Sequence, residues 1–248
     1  RDLFLDPEHD ADPAYAAALL GAGFEVAEER EPSIHVMRRT FEPGLDEERL
    51  FASLSKSPRQ RIRAARDAGV SVREQRDPER MAAFATILRE RADVLGIALQ
   101  QRDDYLAGWR ALIDAGLARL LLAEHGGAVL GGLFLFRQGG IWATAYSADD
   151  ASRRRELPGA MHLLRWVAVS EALADGCPAV ELGGVDLPGR REPPVSGDPN
   201  RGLYEHKRGF GATWVYREPA RRIVLRAGAD SLARVRRRAI DALRGMRR

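Results

Sequence analysis

The chain has 248 residues, of which 45% are hydrophobic and 30% are charged, and its formal net charge is +3 at pH 7. These values are close to globular averages and argue against a disordered chain, a collagen-like fibre and a disulfide-stabilised miniprotein. The single cysteine, Cys177, can form no internal disulfide and no apolar run reaches about 18 residues, so we expect a cytoplasmic protein that does not span a membrane.

Residues 1–76 are predicted to form a first unit. The predicted elements are strands over 2–6, 33–40 and 70–72 and helices over 12–23 and 46–68. The first helix is predicted from Asp12, because an aspartate followed by proline is a typical helix start. So few strands cannot close a sheet, and the chain begins with Arg1 rather than methionine. We therefore expect residues 1–76 to be the C-terminal part of an incomplete first domain.

Residues 77–228 are predicted to form a second unit. The predicted elements are helices over 77–95, 103–115 and 158–176, strands over 118–124, 129–137, 141–147 and 179–182, a loop over 183–202, and a last strand. The glycine pairs at 126–127 and 139–140 are typical of hairpins and predict that three strands form an antiparallel meander. This order resembles the GNAT acetyltransferase superfamily, a mixed α/β (α+β) fold whose sheet splays open around an acyl donor. Since one fold hosts many functions, the motifs have to indicate the chemistry.

Three motifs resemble the Fem peptidyltransferase family (FemABX). They are Glu181-Leu182-Gly183-Gly184-Val185-Asp186 at a predicted strand end, Gly202-Leu203-Tyr204 followed by His206-Lys207-Arg208-Gly209-Phe210-Gly211, and the segment Lys56-Ser57-Pro58-Arg59-Gln60-Arg61-Ile62-Arg63-Ala64-Ala65. The family patterns are D-x-G-G, G-L-x-x-F-K-x-G-F-G and K-x-x-R-x-x-I-R-K-A, in two tandem GNAT-like domains. His206 stands where the family has phenylalanine, and Glu181 replaces the commoner aspartate. The resemblance covers essentially the whole chain.

The resemblance implies an aminoacyltransferase. Fem enzymes move an amino acid from aminoacyl-tRNA to an amine on the peptide stem of a nucleotide- or lipid-linked peptidoglycan precursor. Because the donor ester is already activated, this reaction needs orientation, proton removal and oxyanion stabilisation, and we expect no metal and no cofactor. Two alternatives stay open: an N-acyltransferase that uses acyl-CoA, and a non-catalytic member that binds precursor or RNA. The turn before residue 160 disfavours acyl-CoA, because Pro158 offers no amide donor to a pyrophosphate.

Lys207 is the predicted catalytic residue. Apart from Lys56 it is the only lysine in the chain, and an ammonium on a flexible stem suits a developing oxyanion better than a planar guanidinium. The alternative is a solvated lysine in a turn before a strand. Asp186 and Glu181 are alternative proton acceptors, while His206 is expected to pack as a ring. The residues expected to bind substrate are Lys56, Arg59, Arg63, Arg91, Arg102, Tyr105, Tyr146, Gly183, Gly184, Asp186, Tyr204, His206, Phe210 and Gly211.

Two predicted basic helices are candidates for contact with polyanions. On the helix over 46–68, arginines such as Arg59 and Arg63 recur at helical spacing, which suits a diphosphate or an RNA backbone as well as a solvated face. Residues 229–248 are predicted to form an amphipathic basic helix. That helix could contact tRNA, lie peripherally on the anionic inner face of the membrane, or simply pack on the fold.

Overall fold

The computed structural model describes residues 2–29, 34–96, 105–154, 156–187 and 189–225. The predicted helix over 229–248 and the predicted helix start at Asp103 lie outside these described residues. In chain order the elements are β1 (Asp2–Leu5), α1 (Pro13–Gly21), β2 (Glu25–Val26), β3 (Val36–Thr40), α2 (Glu47–Ser53), α3 (Lys56–Asp67), β4 (Ser71–Glu74), α4 (Pro78–Leu95), α5 (Tyr105–Asp114), β5 (Ala118–His125), β6 (Ala128–Gln138), β7 (Ile141–Asp149), α6 (Ala160–Ala174), β8 (Ala179–Glu181), α7 (Arg201–Gly209), β9 (Thr213–Val215) and β10 (Arg221–Val224).

The chain divides into two compact units. The smaller unit takes its described residues from Arg1–His35, Asp186–Arg191 and Val215–Arg248, and the larger takes them from Val36–Val185 and Glu192–Trp214. This division differs from the boundary expected at residue 76. The reason is that β3 and β4 pair with strands of the larger unit, so that the chain between them folds with that unit.

Among its described residues, the smaller unit contains a three-stranded sheet and one helix. In the sheet β10 lies between β1 and β2 and is antiparallel to both. Helix α1 begins after Asp12, as predicted, because the Asp12 carboxylate accepts a hydrogen bond of 2.8 Å from the amide of Ala14.

The larger unit is built on a seven-stranded mixed sheet in the order β4-β5-β6-β7-β8-β3-β9. The antiparallel meander β5-β6-β7 is present as predicted. Strands β7 and β8 are parallel but pair only at Trp142 with Val180 and at Ala143 with Glu181. Since β7 continues to Asp149, the sheet opens at the carboxyl end of β8. This splayed mixed sheet confirms the predicted GNAT-like α/β fold.

Each face of this sheet is covered by helices. On β5, Leu121 packs with α3 and α6, while its neighbour Leu120 packs on the other side with α4 and α5. Successive side chains of a strand point to opposite faces, so the continuous apolar run of β5 fits a strand that is buried on both. Among the described helices, none has both the length and the apolarity needed to cross a bilayer.

Two predicted elements differ from the structure. The single helix expected over 46–68 is two helices, because Leu54 is extended and the Ser55 amide bonds to the Gly209 carbonyl at 2.9 Å. The residues after the predicted loop over 183–202, expected to lead into a last strand, instead form helix α7, which contains Lys207. Gly202 and Gly209 lower the helix propensity of this segment, and its tertiary contacts with α3 outweigh that local preference.

Candidate active site

The candidate site lies where the sheet of the larger unit opens, and two buried cations hold the chain that leaves β8. The Lys207 ammonium donates to the carbonyl oxygens of Gly183 at 2.9 Å and Gly184 at 2.7 Å. Arg165, on α6, donates from Nη1 to the Leu182 carbonyl at 3.1 Å. Three successive carbonyls therefore accept hydrogen bonds from two positively charged side chains.

Lys207 is buried, with 3% of its surface exposed. The predicted alternative, a solvated lysine in a turn, is therefore not what the structure shows. Gly183 leaves space for this ammonium: its φ is +78°, and a Cβ there would lie 3.2 Å from the Thr144 carbonyl oxygen and 3.5 Å from Lys207 Nζ. Only glycine fits this position without strain, which explains one glycine of the strand-end motif.

Arg165 is a site residue that the sequence analysis did not identify. It is 2% exposed, and burial lowers its pKa to about 10, so the guanidinium stays charged at neutral pH. A signal was present in the sequence, since Arg165 interrupts the apolar run Leu163-Leu164-Arg165-Trp166. An arginine on the buried face of an amphipathic helix is uncommon without a partner or a function.

Two histidines pack against each other beside these cations. His206 Nδ1 lies 3.2 Å from His162 Nε2, and the ring centroids are 4.4 Å apart. Burial, together with Arg61 and Arg165, lowers the pKa of His162 to about 4. Burial, together with Arg165, His162 and Lys207, lowers the pKa of His206 to about 2. Both rings are therefore neutral at pH 7 and are weak bases.

This geometry supports the interpretation of His206 as a packing ring. Its centroid lies 5.3 Å from that of Phe210, a buried core residue. A base with so low a pKa takes a proton from an amine poorly.

The histidine pair should make the stability of the protein depend on pH. In the unfolded chain a histidine has a pKa near its ordinary value of 6.5, whereas His162 is lowered to about 4 and His206 to about 2 in the fold. Below pH 6.5 the unfolded chain therefore binds more protons, so the free energy of unfolding falls as the pH is lowered towards 4. Urea unfolding at pH 7.5, 6.0 and 5.0 should show a smaller loss for the double variant His162→Gln, His206→Phe than for the wild type.

The exposed His9, in the smaller unit, provides the control. The variant His9→Gln should keep the wild-type pH dependence. An equal loss of stability in the wild type and the double variant would show that the pair does not contribute.

A cavity of about 460 Å³ opens beside the histidines. Five arginines and two aspartates are among its lining residues, which are Arg61, Arg91, Leu95, Leu130, Ser147, Ala148, Asp149, Asp150, Arg153, Arg154, Leu157, Pro158, Gly159, Ala160, Met161, His162, Arg165, Leu203 and His206. Arg154 pairs with Asp149 at 2.6 Å and Arg153 with Asp150 at 3.7 Å. The remaining arginines give the wall an excess of positive charge that favours an anionic ligand.

Few of the predicted substrate-binding residues line this cavity, and those that do are Arg91 and His206. Tyr146 instead packs in the core on the other face of the sheet, together with α4 and α5, and its ring lies 5.7 Å from that of Trp109. Tyr204 packs 6.5 Å from Trp214.

The other predicted substrate-binding residues lie on α3, directly after β8 (Gly183, Gly184 and Asp186), directly after α7 (Phe210 and Gly211), or outside the described residues. On α3, Lys56 is exposed, Arg59 is half-buried and Arg63 lies over the Phe51 ring at 5.5 Å. Gly211 has φ +76° and lies against Arg39. Arg102 and the side chain of Tyr105 lie outside the described residues.

The two candidate proton acceptors have structural partners. Glu181 pairs with Arg38 across β8 and β3 at 2.6 Å. In the smaller unit, Asp186 accepts hydrogen bonds of 2.6 Å from the amides of Ile34 and His35. These bonds favour a structural role for both carboxylates.

Comparisons with known proteins agree with this fold. A family model described as acetyltransferase (GNAT) domain matches residues 52–208. A crystal structure of FemX is similar with a TM-score of 0.74 and 17% identity, covering 93% of this chain and 74% of FemX. No curated protein sequence matches the chain.

Two further solved structures have a similar fold. L-PGS from Bacillus licheniformis gives a TM-score of 0.54 and 11% identity, covering 92% of this chain and 71% of its own. The C-terminal domain of a putative lysylphosphatidylglycerol synthetase from Agrobacterium fabrum gives a TM-score of 0.53 and 14% identity. This match covers 92% of the present chain and 70% of the synthetase chain. At these identities the likeness shows the fold.

Proposed function

The chain belongs to the acetyltransferase (GNAT) domain family, and we propose that within it the protein is an aminoacyltransferase. It would move an amino acid from aminoacyl-tRNA to an amine on the peptide stem of a peptidoglycan precursor. The observation that carries this proposal is the buried Lys207 ammonium, fixed at the point where the sheet opens. The fold likeness to FemX and to the lysylphosphatidylglycerol synthetase domain supports an aminoacyl donor.

Lys207 would supply electrostatic catalysis. In aminolysis the amine nitrogen attacks the ester carbon, negative charge develops on the carbonyl oxygen, the C–N bond forms and the C–O bond to the ribose breaks. A cation near that oxygen stabilises the transition state, and a cation already held by Gly183 and Gly184 needs no reorganisation. The proton lost by the amine would go to solvent or to the leaving oxygen, because the neighbouring histidines are poor bases.

The arginine-lined cavity would hold an anionic part of a substrate. The helix α6 has its N-terminus in this wall at Ala160, which adds the positive end of a helix dipole to the charge of Arg61 and Arg91. Both proposed substrates carry phosphate, so this charge fits either the tRNA end or the diphosphate of a precursor. It also favours a second candidate, an N-acyltransferase that binds the pyrophosphate of acyl-CoA.

A transfer assay tests these proposals together. The protein is incubated with pooled aminoacyl-tRNAs carrying labelled amino acids and, separately, with labelled acetyl-CoA, in each case with nucleotide-linked and lipid-linked precursors as acceptors. Label in the precursor from aminoacyl-tRNA supports the aminoacyltransferase. Transfer from acetyl-CoA alone supports the second candidate, and precursor binding without transfer from either donor would contradict both.

A further inference from the structure

Arg165 is charged, buried and incompletely bonded. Both hydrogen bonds described for its guanidinium come from Nη1, to the Leu182 carbonyl at 3.1 Å and to Thr144 Oγ1 at 3.5 Å. Its Nε is buried and has no hydrogen-bond partner. Within the part of the chain that the structure describes, no carboxylate forms an ion pair with Arg165. The Nε–Nη2 edge of the guanidinium is therefore left without a described acceptor.

Such a group is costly for the fold. A buried charge without an ionic partner loses its hydration and recovers only part of that free energy from neutral acceptors such as the Leu182 carbonyl. Replacing buried ionic groups with apolar side chains of similar volume often leaves stability unchanged or raises it. The stability of this fold therefore gives no reason for a guanidinium at position 165, whereas ligand binding does.

The surroundings of Arg165 indicate what the ligand carries. Arg165 lines the cavity together with Arg61, and the histidine pair beside them is neutral. The two aspartates of the wall already pair with Arg153 and Arg154. An anion that enters the cavity would therefore meet the positive charges of Arg61 on α3 and Arg165 on α6, which these aspartates do not neutralise.

We propose that Arg165 binds an oxyanion of the substrate, a carboxylate or a phosphate, through its Nε–Nη2 edge. Two parallel N–H donors on a planar guanidinium match two oxygens of either group. The Leu182 carbonyl that Arg165 holds directly precedes the two carbonyls held by Lys207. If the proposed function is right, this anchor fixes the substrate beside the reacting ester. Arg165 is then a specificity-determining residue, because it selects substrates that carry an anion at this place.

Calorimetric titration with matched small probes tests the proposal. The phosphate arm compares adenosine 5′-monophosphate with adenosine, and the carboxylate arm compares N-acetylalanine with its amide. One anionic probe should bind the wild type while its neutral counterpart does not, and the arm that binds identifies the oxyanion. In Arg165→Met the dissociation constant should rise about 10- to 100-fold, as expected when a charge-assisted bidentate contact is lost. The control Arg154→Met, on the same cavity wall but paired with Asp149, should change it less.

Stability and a conservative variant separate binding from structure. The melting temperature of Arg165→Met should stay close to that of the wild type, because removing a buried charge without an ionic partner offsets the loss of the donor to the Leu182 carbonyl. Arg165→Lys keeps the charge but lacks the two parallel donors, so it should fold and still bind the probe more weakly. Wild-type affinity in Arg165→Lys or Arg165→Met, or no anionic probe bound by the wild type, would overturn the proposal. These measurements need no transfer, so a negative transfer assay with the anion still bound would count only against the proposed function.

Discussion

Replacing Lys207 with methionine is expected to lower the turnover number of aminoacyl transfer by about 10²- to 10³-fold, the usual effect of losing one oxyanion donor. Methionine keeps the length of the stem and deletes the charge. Because an oxyanion exists only on the way to the transition state, KM should change little. Steady-state kinetics with aminoacyl-tRNA and the precursor that the transfer assay identifies would measure both constants.

The structure adds a second expectation for this variant. Lys207 donates to two carbonyls, so the methionine variant leaves the Gly183 and Gly184 oxygens without these donors and should melt at a lower temperature. Kinetics are therefore measured well below the melting temperature of the variant, where all molecules are folded. Near-normal turnover in the folded variant would show that Lys207 only ties α7 to the end of β8.

A neighbour on the same helix is the matched control. Arg208 is exposed and pairs with Glu205 at 3.1 Å on the outer side of α7. Arg208→Met removes a positive charge one residue away without touching the carbonyls after β8. Turnover in this variant should stay close to that of the wild type. An equal fall in both variants would indicate a general effect of charge on tRNA binding.

Local signals predicted much of the fold. The helix starts after Asp12 and Asp77 depend on side chains that bond to amides two or three residues away, so a short stretch of sequence contains the whole cause. The glycine pairs of the meander act in the same local way. Helix α7 was missed because its two glycines oppose a helix locally, and only its packing supports one.

Only the part of the candidate site that has a local sequence signal could be predicted. Lys207 could be found because lysine is rare in this chain and lies in a motif. The His162–His206 pair could not, since its members are 44 residues apart and meet only through the packing of α6 and α7. The domain boundary was also hidden, because the pairing of β3 with β8 joins residues about 140 apart, and no local pattern specifies such a contact.

Gly159 is the position where a single methyl group should disturb the site most. It is the N-cap of α6, with φ +109°, and a Cβ there would lie 2.3 Å from the backbone oxygen of Arg61. The Arg61 oxygen and the new Cβ are both fixed to the backbone and cannot rotate apart. Gly159→Ala must therefore push α6 away from α3, and it also strains the φ angle of residue 159. We expect the free energy of unfolding to fall by about 2–5 kcal/mol, the sum of a typical overpacking cost of about 1–3 and a left-handed backbone cost of about 1–2 kcal/mol. Urea unfolding measures this loss.

The variant Gly140→Ala separates the cost of the steric overlap from the cost of the positive φ angle. Gly140 has φ +83° but open space around its Cβ position, so alanine there pays only the cost of the left-handed backbone. It should lose about 1–2 kcal/mol. A loss in Gly159→Ala no larger than this would contradict the overlap with Arg61. If the larger loss is found, binding of the anionic probe should weaken in Gly159→Ala alone, because α6 carries Arg165 and any shift of this helix moves the guanidinium relative to the Leu182 carbonyl.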